Sequence, residues 1–276
     1  MRPTQLPDTR VILVKISSQE HNVSTNVRIG EGRLGILGGM GSEATAFFLR
    51  TLARRSRSTS DQHHVPFVLL SCPEIPDRSR AIEQGNPAVP AIIQMRLAQL
   101  EDIGCGAIAI ACNTAHYWRG NFASALHVPM IDMVQATALH AARLGATKVI
   151  VLGTRSTMNL GLYDHALNDL NVQSIRVSDE IVDRTSVAIA LAKSGNQDQA
   201  KEQLAHVVDA CRSVNSDTII LGCTELSMLA ASDATAADFV DSEVCLADAC
   251  IRWWLARRGE DGNVGVSRSE ESVNGA

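Results

Sequence analysis

Two cysteines stand out because each follows a short apolar run and precedes small polar residues. Cys112 lies in IAIACNTAHYW, residues 108–118, and Cys223 lies in TIILGCTELSML, residues 218–229. A thiol has a pKa of about 8.5, which falls beside a helix N-terminus, so it can act as an acid and as a base near neutral pH. A single cysteine is usually a small buried hydrophobe, but the repeated setting indicates chemistry.

Two opposed thiols suit proton transfer at one carbon atom. Inverting a stereocentre without a cofactor requires one group to remove a proton from one face and another to deliver a proton to the opposite face. Asn113, Thr114 and Thr224 follow the thiols and offer amide and hydroxyl groups beside free backbone N–H groups, a setting that binds carboxylate. The pattern predicts an α-amino-acid site in which Cys112 and Cys223 are catalytic.

Strands and helices must bring the two thiols to one cleft. Apolar runs that end in Gly or Cys alternate with segments of helical periodicity, which predicts an α/β protein. Gly38 precedes Cys112 by 74 positions and Gly153 precedes Cys223 by 70, which indicates two related lobes. Ligands of such sheets bind at the carboxyl ends of the strands. We expect two pseudo-symmetric lobes, each a mostly parallel sheet flanked by helices, with the active site between them.

The expected domain organisation follows from the composition along the chain. The first 32 residues carry scattered polar and charged residues around one short apolar run, and the last residues are rich in Gly, Ser and Glu, which is typical of disorder. The predicted units are a loosely attached extension over 1–32, a first lobe over 33–135 to which 240–258 returns, a second lobe over 136–239, and a disordered tail over 259–276.

Composition argues against several classes of function. The 276 residues are 45% hydrophobic with a net charge of −5, and no cluster of Lys and Arg indicates nucleic-acid binding. No apolar run approaches the roughly 20 residues that span a bilayer, and the N-terminus lacks a signal-peptide pattern. The seven cysteines form no CxxC pair and no zinc-spaced cluster. We expect a cytoplasmic protein that acts on a small molecule, with no membrane partner and free thiols.

Six stretches resemble the aspartate/glutamate racemase superfamily, most closely its aspartate racemase branch, over residues 33–258. They are GILGGMGSEAT, DQHHVPFVLLSCPEIPDRSRAI, ACNTAHYW, VPMIDMVQAT, VLGTRSTMNLGLYD and LGCTELSML. The resemblance implies two pseudo-symmetric α/β lobes and a racemase that interconverts L- and D-aspartate, with glutamate as the alternative substrate. It also implies a two-base mechanism without cofactors, needing neither pyridoxal phosphate nor metal, and a homodimer.

The resemblance extends to single positions. Cys112 and Cys223 match the paired catalytic cysteines of the family. The positions that match those lining the α-carboxylate and the amino group are Met40, Asn113, Thr114 and Thr224. Gln62 lies in the similar DQHHVP stretch, Arg78 in IPDR resembles the arginine that meets the side-chain carboxylate, and Lys193 is the candidate for the second cation.

The chain departs from the family pattern near its C-terminus, where DSEVCLADAC replaces a more usual Thr-containing segment. GCTEL also lacks the His that follows the second cysteine in the glutamate racemase branch. Two alternative functions stay open: a decarboxylase or isomerase of a dicarboxylate with the same fold, and a non-catalytic amino-acid-binding protein. The second thiol with Thr224 argues against a one-thiol decarboxylase, and binding alone does not need two matched thiols.

Overall fold

The computed structural model of the chain describes residues 32–56, 60–231 and 239–259. The predicted N-terminal extension and C-terminal tail therefore lie outside the described residues, apart from Gly32 and Gly259. The described part forms two four-stranded sheets, each fully parallel and flanked by helices. This arrangement confirms the predicted α/β class with two lobes.

The two sheets have the same strand order. The first lobe's sheet consists of β1 (Leu34–Gly38), β2 (Phe67–Ser71), β3 (Ala107–Ile110) and β4 (Met130–Ile131), in the order β2-β1-β3-β4. The second lobe's sheet consists of β5 (Lys148–Gly153), β6 (Gln173–Ile175), β7 (Thr218–Gly222) and β8 (Phe239–Asp241), in the order β6-β5-β7-β8. The repeated sequence pattern thus has a repeated topology as its counterpart.

Helices connect successive strands, as parallel pairing requires. Those from β1 to β4 are α1 (Ser42–Arg55), α2 (Arg78–Glu83), α3 (Ala88–Asp102) and α4 (Arg119–Ala125), with 3-10 turns at Asp61–His63 and Thr114–Trp118. Those that follow are α5 (Met133–Arg143), α6 (Arg155–Asn159), α7 (Asp164–Asn168), α8 (Asp179–Lys193), α9 (Gln197–Arg212), α10 (Thr224–Ala230) and α11 (Ser242–Arg257). Among these helices, none is long and apolar enough to cross a membrane.

The central strands are apolar because helices cover both of their faces. Every residue of β1 and β3 is buried, and so is every residue of β7 except its first. The two thiols follow the carboxyl ends of these buried strands, Cys112 after β3 and Cys223 after β7. The strands therefore position the candidate site.

Helix α11 follows the last strand of the second sheet but completes the core of the first. Its residues Leu246 and Cys250 pack in one buried cluster with Leu34 and Ile36 of β1 and Phe48 of α1. The helix begins with the side chain of Asp241 accepting hydrogen bonds from two backbone N–H groups of its first turn. The start of α11 therefore lies where the two lobes meet.

Candidate active site

The first thiol lies directly beyond β3. Ala111 still pairs with β1 by donating its N–H to the carbonyl of Leu37, and Cys112 follows with 5% exposure. The carbonyl of Cys112 and Nδ1 of the buried His116 are 2.9 Å apart, and the N–H of Met133 donates to Nε2 of the same ring. The imidazole therefore carries its proton on Nδ1, and burial lowers its pKa. His116 holds the turn behind the thiol.

The second thiol lies directly beyond β7 and hydrogen-bonds to a carboxylate. Cys223 is 4% exposed, and its thiol donates to Oε2 of Glu225 over 3.0 Å. The Thr224 hydroxyl donates to the same oxygen over 3.1 Å, and Nζ of Lys193 lies 4.0 Å from the other oxygen. Burial, and then the charge of Glu225, raises the pKa of Cys223 well above its ordinary value. The resting site therefore holds Cys223 as a protonated thiol.

Hydrogen bonds join the segments that carry the thiols across the two lobes. The amide of Asn113 donates to the Ser242 hydroxyl over 3.0 Å, and that hydroxyl donates to the carbonyl of Leu221 over 2.6 Å. The Tyr163 hydroxyl donates to the side-chain carbonyl of Asn113. Asn113 follows the first thiol and Leu221 precedes the second by two positions, so the two strand ends meet at one junction. A further bond joins the hydroxyls of Thr114 and Thr154, 3.1 Å apart.

The loop after β1 brings Met40 and Arg78 together. Gly39 has a φ of +84°, and a Cβ there would lie 2.4 Å from the backbone nitrogen of Cys72, so only glycine fits this turn. Arg78, 9% exposed, donates from Nη2 to the carbonyl of Met40 over 2.6 Å and from Nη1 to two carbonyls of its own loop. Its buried Nε has no hydrogen-bond partner among the described residues. Arg78 therefore fastens the loop, and its Nε–H donor stays unused among the described residues.

The same loop lies against the carboxylate that accepts from the second thiol. A Cβ built at Gly41 would lie 3.0 Å from Oε1 of Glu225, which places this second-lobe side chain beside the first-lobe loop. Met40 is 3% exposed and Thr224 is likewise buried. The loop after β1 and the turn after β7 thus form two sides of one buried polar region.

The structure places the predicted site residues unequally. Most of them lie buried at the lobe junction or beside it, namely Cys112, Cys223, Met40, Arg78, Asn113, Thr114 and Thr224. Lys193, at the end of α8, reaches this group through Glu225 with 38% of its side chain exposed. Gln62 lies in the exposed 3-10 turn at Asp61–His63, outside the buried cluster. Its role stays a prediction.

Four residues of the junction were missed by sequence reasoning: Glu225, Glu243, Ser242 and Tyr163. Glu225 had a usable signal, because it stands two positions after the second cysteine in the repeated motif. Glu243 stands in the segment that departs from the family pattern. Tyr163 lies in VLGTRSTMNLGLYD and Ser242 in DSEVCLADAC, but no sequence signal indicated their contacts, which join residues far apart in the chain.

Comparison with known proteins identifies the family of the chain. The Asp/Glu/hydantoin racemase family profile matches residues 37–250. The chain belongs to this family. It is 29% identical over 227 residues to the broad specificity amino-acid racemase RacX of Bacillus subtilis, covering 81% of this chain and 98% of RacX. The protein is thus a racemase of the Asp/Glu racemase family, which works without pyridoxal phosphate.

Solved structures of family members share the fold. Aspartate racemase from Picrophilus torridus is 30% identical, with a TM-score of 0.72, and the match covers 83% of this chain and 100% of that one. An aspartate racemase homologue from Pyrococcus horikoshii matches with a TM-score of 0.65 at 24% identity, over 80% of this chain and 98% of that one. These matches confirm the resemblance and the two-lobed racemase architecture predicted from the sequence.

Proposed function

We propose that this racemase interconverts L- and D-aspartate, with glutamate as the alternative substrate, by proton transfer between two cysteines. The observation that carries the proposal is the placement of Cys112 and Cys223 beyond equivalent strands whose ends meet at one hydrogen-bonded junction. An α-carbon bound there has one thiol on each face. One sulfur takes the α-proton while the other delivers a proton to the opposite face.

The protonation state of Cys223 supports a proposal for how the reaction starts. Its raised pKa keeps it protonated, so in the resting site it is the group ready to deliver a proton. In the opposite direction Cys223 must first lose its proton, and Glu225 Oε2 is the acceptor within hydrogen-bonding distance. Negative charge that develops on the substrate's α-carboxylate is stabilised by backbone N–H groups at the starts of the turns after β3 and β7.

The substrate-binding assignments are part of the same proposal. Met40, Asn113, Thr114 and Thr224 line the α-carboxylate and amino group, and Lys193 completes the polar surroundings. Gln62 is assigned to substrate binding on the family resemblance alone. The free Nε–H of Arg78 is the candidate donor to the side-chain carboxylate. We further propose a cytoplasmic homodimer on the basis of the family resemblance. Sedimentation equilibrium of the full chain would give the mass of the species, and a monomer at all concentrations would contradict the dimer.

A second candidate function is racemisation of a broader set of amino acids. Three of the hydrogen bonds that Arg78 makes go to backbone carbonyls, which leaves few of its donors for a substrate carboxylate. If the site requires a side-chain carboxylate only weakly, amino acids with neutral side chains can also bind as substrates. The name of the Bacillus subtilis relative, a broad specificity racemase, agrees with this candidate.

Chiral chromatography of L-aspartate incubated with the enzyme in D₂O tests the proposal. After dialysis against chelator and hydroxylamine, we expect D-aspartate that carries deuterium at the α-carbon by mass spectrometry, while at low conversion the remaining L-aspartate stays unlabelled. Release of carbon dioxide, or isomerisation of a dicarboxylate instead, would support the alternative enzymes of the same fold. Turnover that appears only after adding pyridoxal phosphate or metal would overturn the mechanism.

A further inference from the structure

Glu243 carries a buried carboxyl group whose two oxygens find no partner among the residues that the structure describes. The residue is 0% exposed, and neither Oε1 nor Oε2 forms a hydrogen bond within the described part of the chain. Buried carboxyl groups that serve only the fold are normally hydrogen-bonded, because leaving a buried polar group without a partner destabilises the folded state. Two unsatisfied oxygens at one position therefore indicate a missing ligand.

The matching position in the other half of the repeat shows what the fold alone requires. Asp132 caps α5 by accepting from the N–H groups of Val134 and Gln135, and Asp241 caps α11 by accepting from those of Glu243 and Val244. Glu243 is thus the counterpart of Val134, which is also 0% exposed. The helix start accommodates a buried valine, so the carboxyl group of Glu243 is not needed to build it.

The groups around Glu243 favour a cation. Besides burial, the charges of Asp241, Glu225 and Cys112 raise the pKa of Glu243 well above its ordinary value, and all three are acidic groups. Of these, Asp241 already accepts from the Ser227 hydroxyl and from the first turn of α11. A positively charged ligand with several N–H donors would satisfy both oxygens of Glu243 and offset the acidic surroundings.

We propose that Glu243 binds the α-ammonium group of the amino acid, an inference that rests on the proposed racemase function. The ammonium is attached to the α-carbon that both thiols must reach. The charges of Cys112 and of Glu225, which accepts the hydrogen bond from the Cys223 thiol, both act on Glu243. It lies next to Ser242, whose hydroxyl joins the two strand ends. An ammonium donates up to three hydrogen bonds, and the carboxyl offers two acceptor atoms.

A comparison of ligands with and without the amino group tests this assignment. L-aspartate and succinate share both carboxylates, and only aspartate carries the ammonium. Calorimetry should show that Glu243→Gln raises the Kd of aspartate about 10- to 100-fold and changes that of succinate less than twofold. Glu243→Val, which copies the residue at the matching position, should show the same selectivity and serves if the Gln variant does not fold. Glu43→Gln is the matched control, because Glu43 is the exposed second residue of α1.

The outcomes separate the two proposals. Equal losses for aspartate and succinate, or no loss for either, would overturn the role of Glu243 even in an enzyme that racemises normally. An enzyme without racemase activity would overturn the proposed function, and the binding comparison would still decide the role of Glu243. Absence of aspartate binding to the unmodified protein would overturn the role directly.

Discussion

The two lobes share one topology but surround their thiols differently. After β3, Cys112 is followed by Asn113 and Thr114, whose side chains bond to residues of the second lobe. After β7, Cys223 is followed by Thr224 and Glu225, and the carboxylate accepts hydrogen bonds from the thiol and the hydroxyl. The first segment joins the lobes, while the second pairs its thiol with a carboxylate. Symmetry of the fold therefore does not give symmetry of the acid–base chemistry.

This asymmetry cannot appear in the overall specificity constants. Two enantiomers have the same free energy in water, so kcat/KM for racemisation must be equal in both directions for any variant. The difference between the lobes must be read from half-reactions that one thiol performs alone. Elimination from an aspartate analogue with chloride at the β-carbon is such a half-reaction, because it needs removal of the α-proton and loss of chloride but no proton return.

The largest expected effect comes from the thiols themselves. Cys112→Ser and Cys223→Ser should each lower racemisation by about 10³-fold or more in both directions, because a hydroxyl is a poor acid and base. Each variant should still eliminate chloride from one enantiomer of the analogue, and the two variants should choose opposite enantiomers. Ammonia release from each enantiomer measures the effect.

Cys211→Ser is the control for the cysteine variants, because this buried thiol lies in the core of the second lobe and should leave activity unchanged. Elimination from the same enantiomer by both active-site variants would contradict opposed thiols. Racemisation near the unmodified rate by either one would do the same.

The next effect tests the carboxylate found beside only one thiol. Glu225→Gln removes the proton acceptor of Cys223 and should lower kcat/KM for racemisation about 10- to 100-fold, equally in both directions. Elimination should fall for the enantiomer that Cys223 addresses and stay within twofold for the other. Glu180→Gln, at an exposed glutamate of α8, is the control. An equal fall for both enantiomers would make Glu225 a structural residue.

A smaller effect concerns substrate choice. Arg78→Ala should lower kcat/KM for aspartate about tenfold more than for alanine, because alanine has no side-chain carboxylate to meet the guanidinium. For both substrates kcat/KM should also fall by a common factor, because the carbonyl of Met40 loses its hydrogen bond from Arg78. Arg80→Ala, at an exposed position of the same helix, should change neither value. Identical losses on the two substrates would restrict Arg78 to fastening the loop and favour the broader substrate range.

The smallest effect is on stability and concerns Glu243 in the empty site. Its pKa is raised in the folded state, so folding retains a proton that the unfolded chain loses near pH 4.5. Stability from this group is therefore present at low pH and declines as pH rises toward the folded pKa. Glu243→Gln has no such proton, so its Tm relative to the unmodified protein should increase from pH 5 to pH 8. Each kcal/mol by which this proton linkage changes the free energy of unfolding should shift Tm by about 2–4 °C.

Differential scanning fluorimetry at matched ionic strength measures this difference. Asp241 also has a raised pKa, but it is present in both proteins and its contribution cancels to first order. A difference for Glu243→Gln that stays constant from pH 5 to pH 8 would contradict the raised pKa of Glu243 in the folded protein.

The sequence was sufficient for the features that depend on local pattern. Fully apolar runs predicted the buried parallel strands, and the motif around each cysteine predicted that Cys112 and Cys223 follow strand ends. The hydrogen bonds of the Asn113 side chain could not be predicted, because its partners Tyr163 and Ser242 are 50 and 129 positions away. The same holds for Arg78, whose bond to Met40 depends on how two loops fold against each other. Distances between distant segments are set by packing, which no local pattern encodes.

The position of α11 has a consequence for the biosynthesis of the protein. Strands β1 and β3 leave the ribosome early, yet Leu34 and Ile36 stay without part of their apolar cover until residues 242–257 have been made. All four strands of the second sheet lie together in the chain, between Lys148 and Asp241. Vectorial synthesis therefore supplies the second sheet in full while the first lobe still waits for its closing helix. A premature stop codon before residue 242 therefore leaves the first lobe without its closing helix.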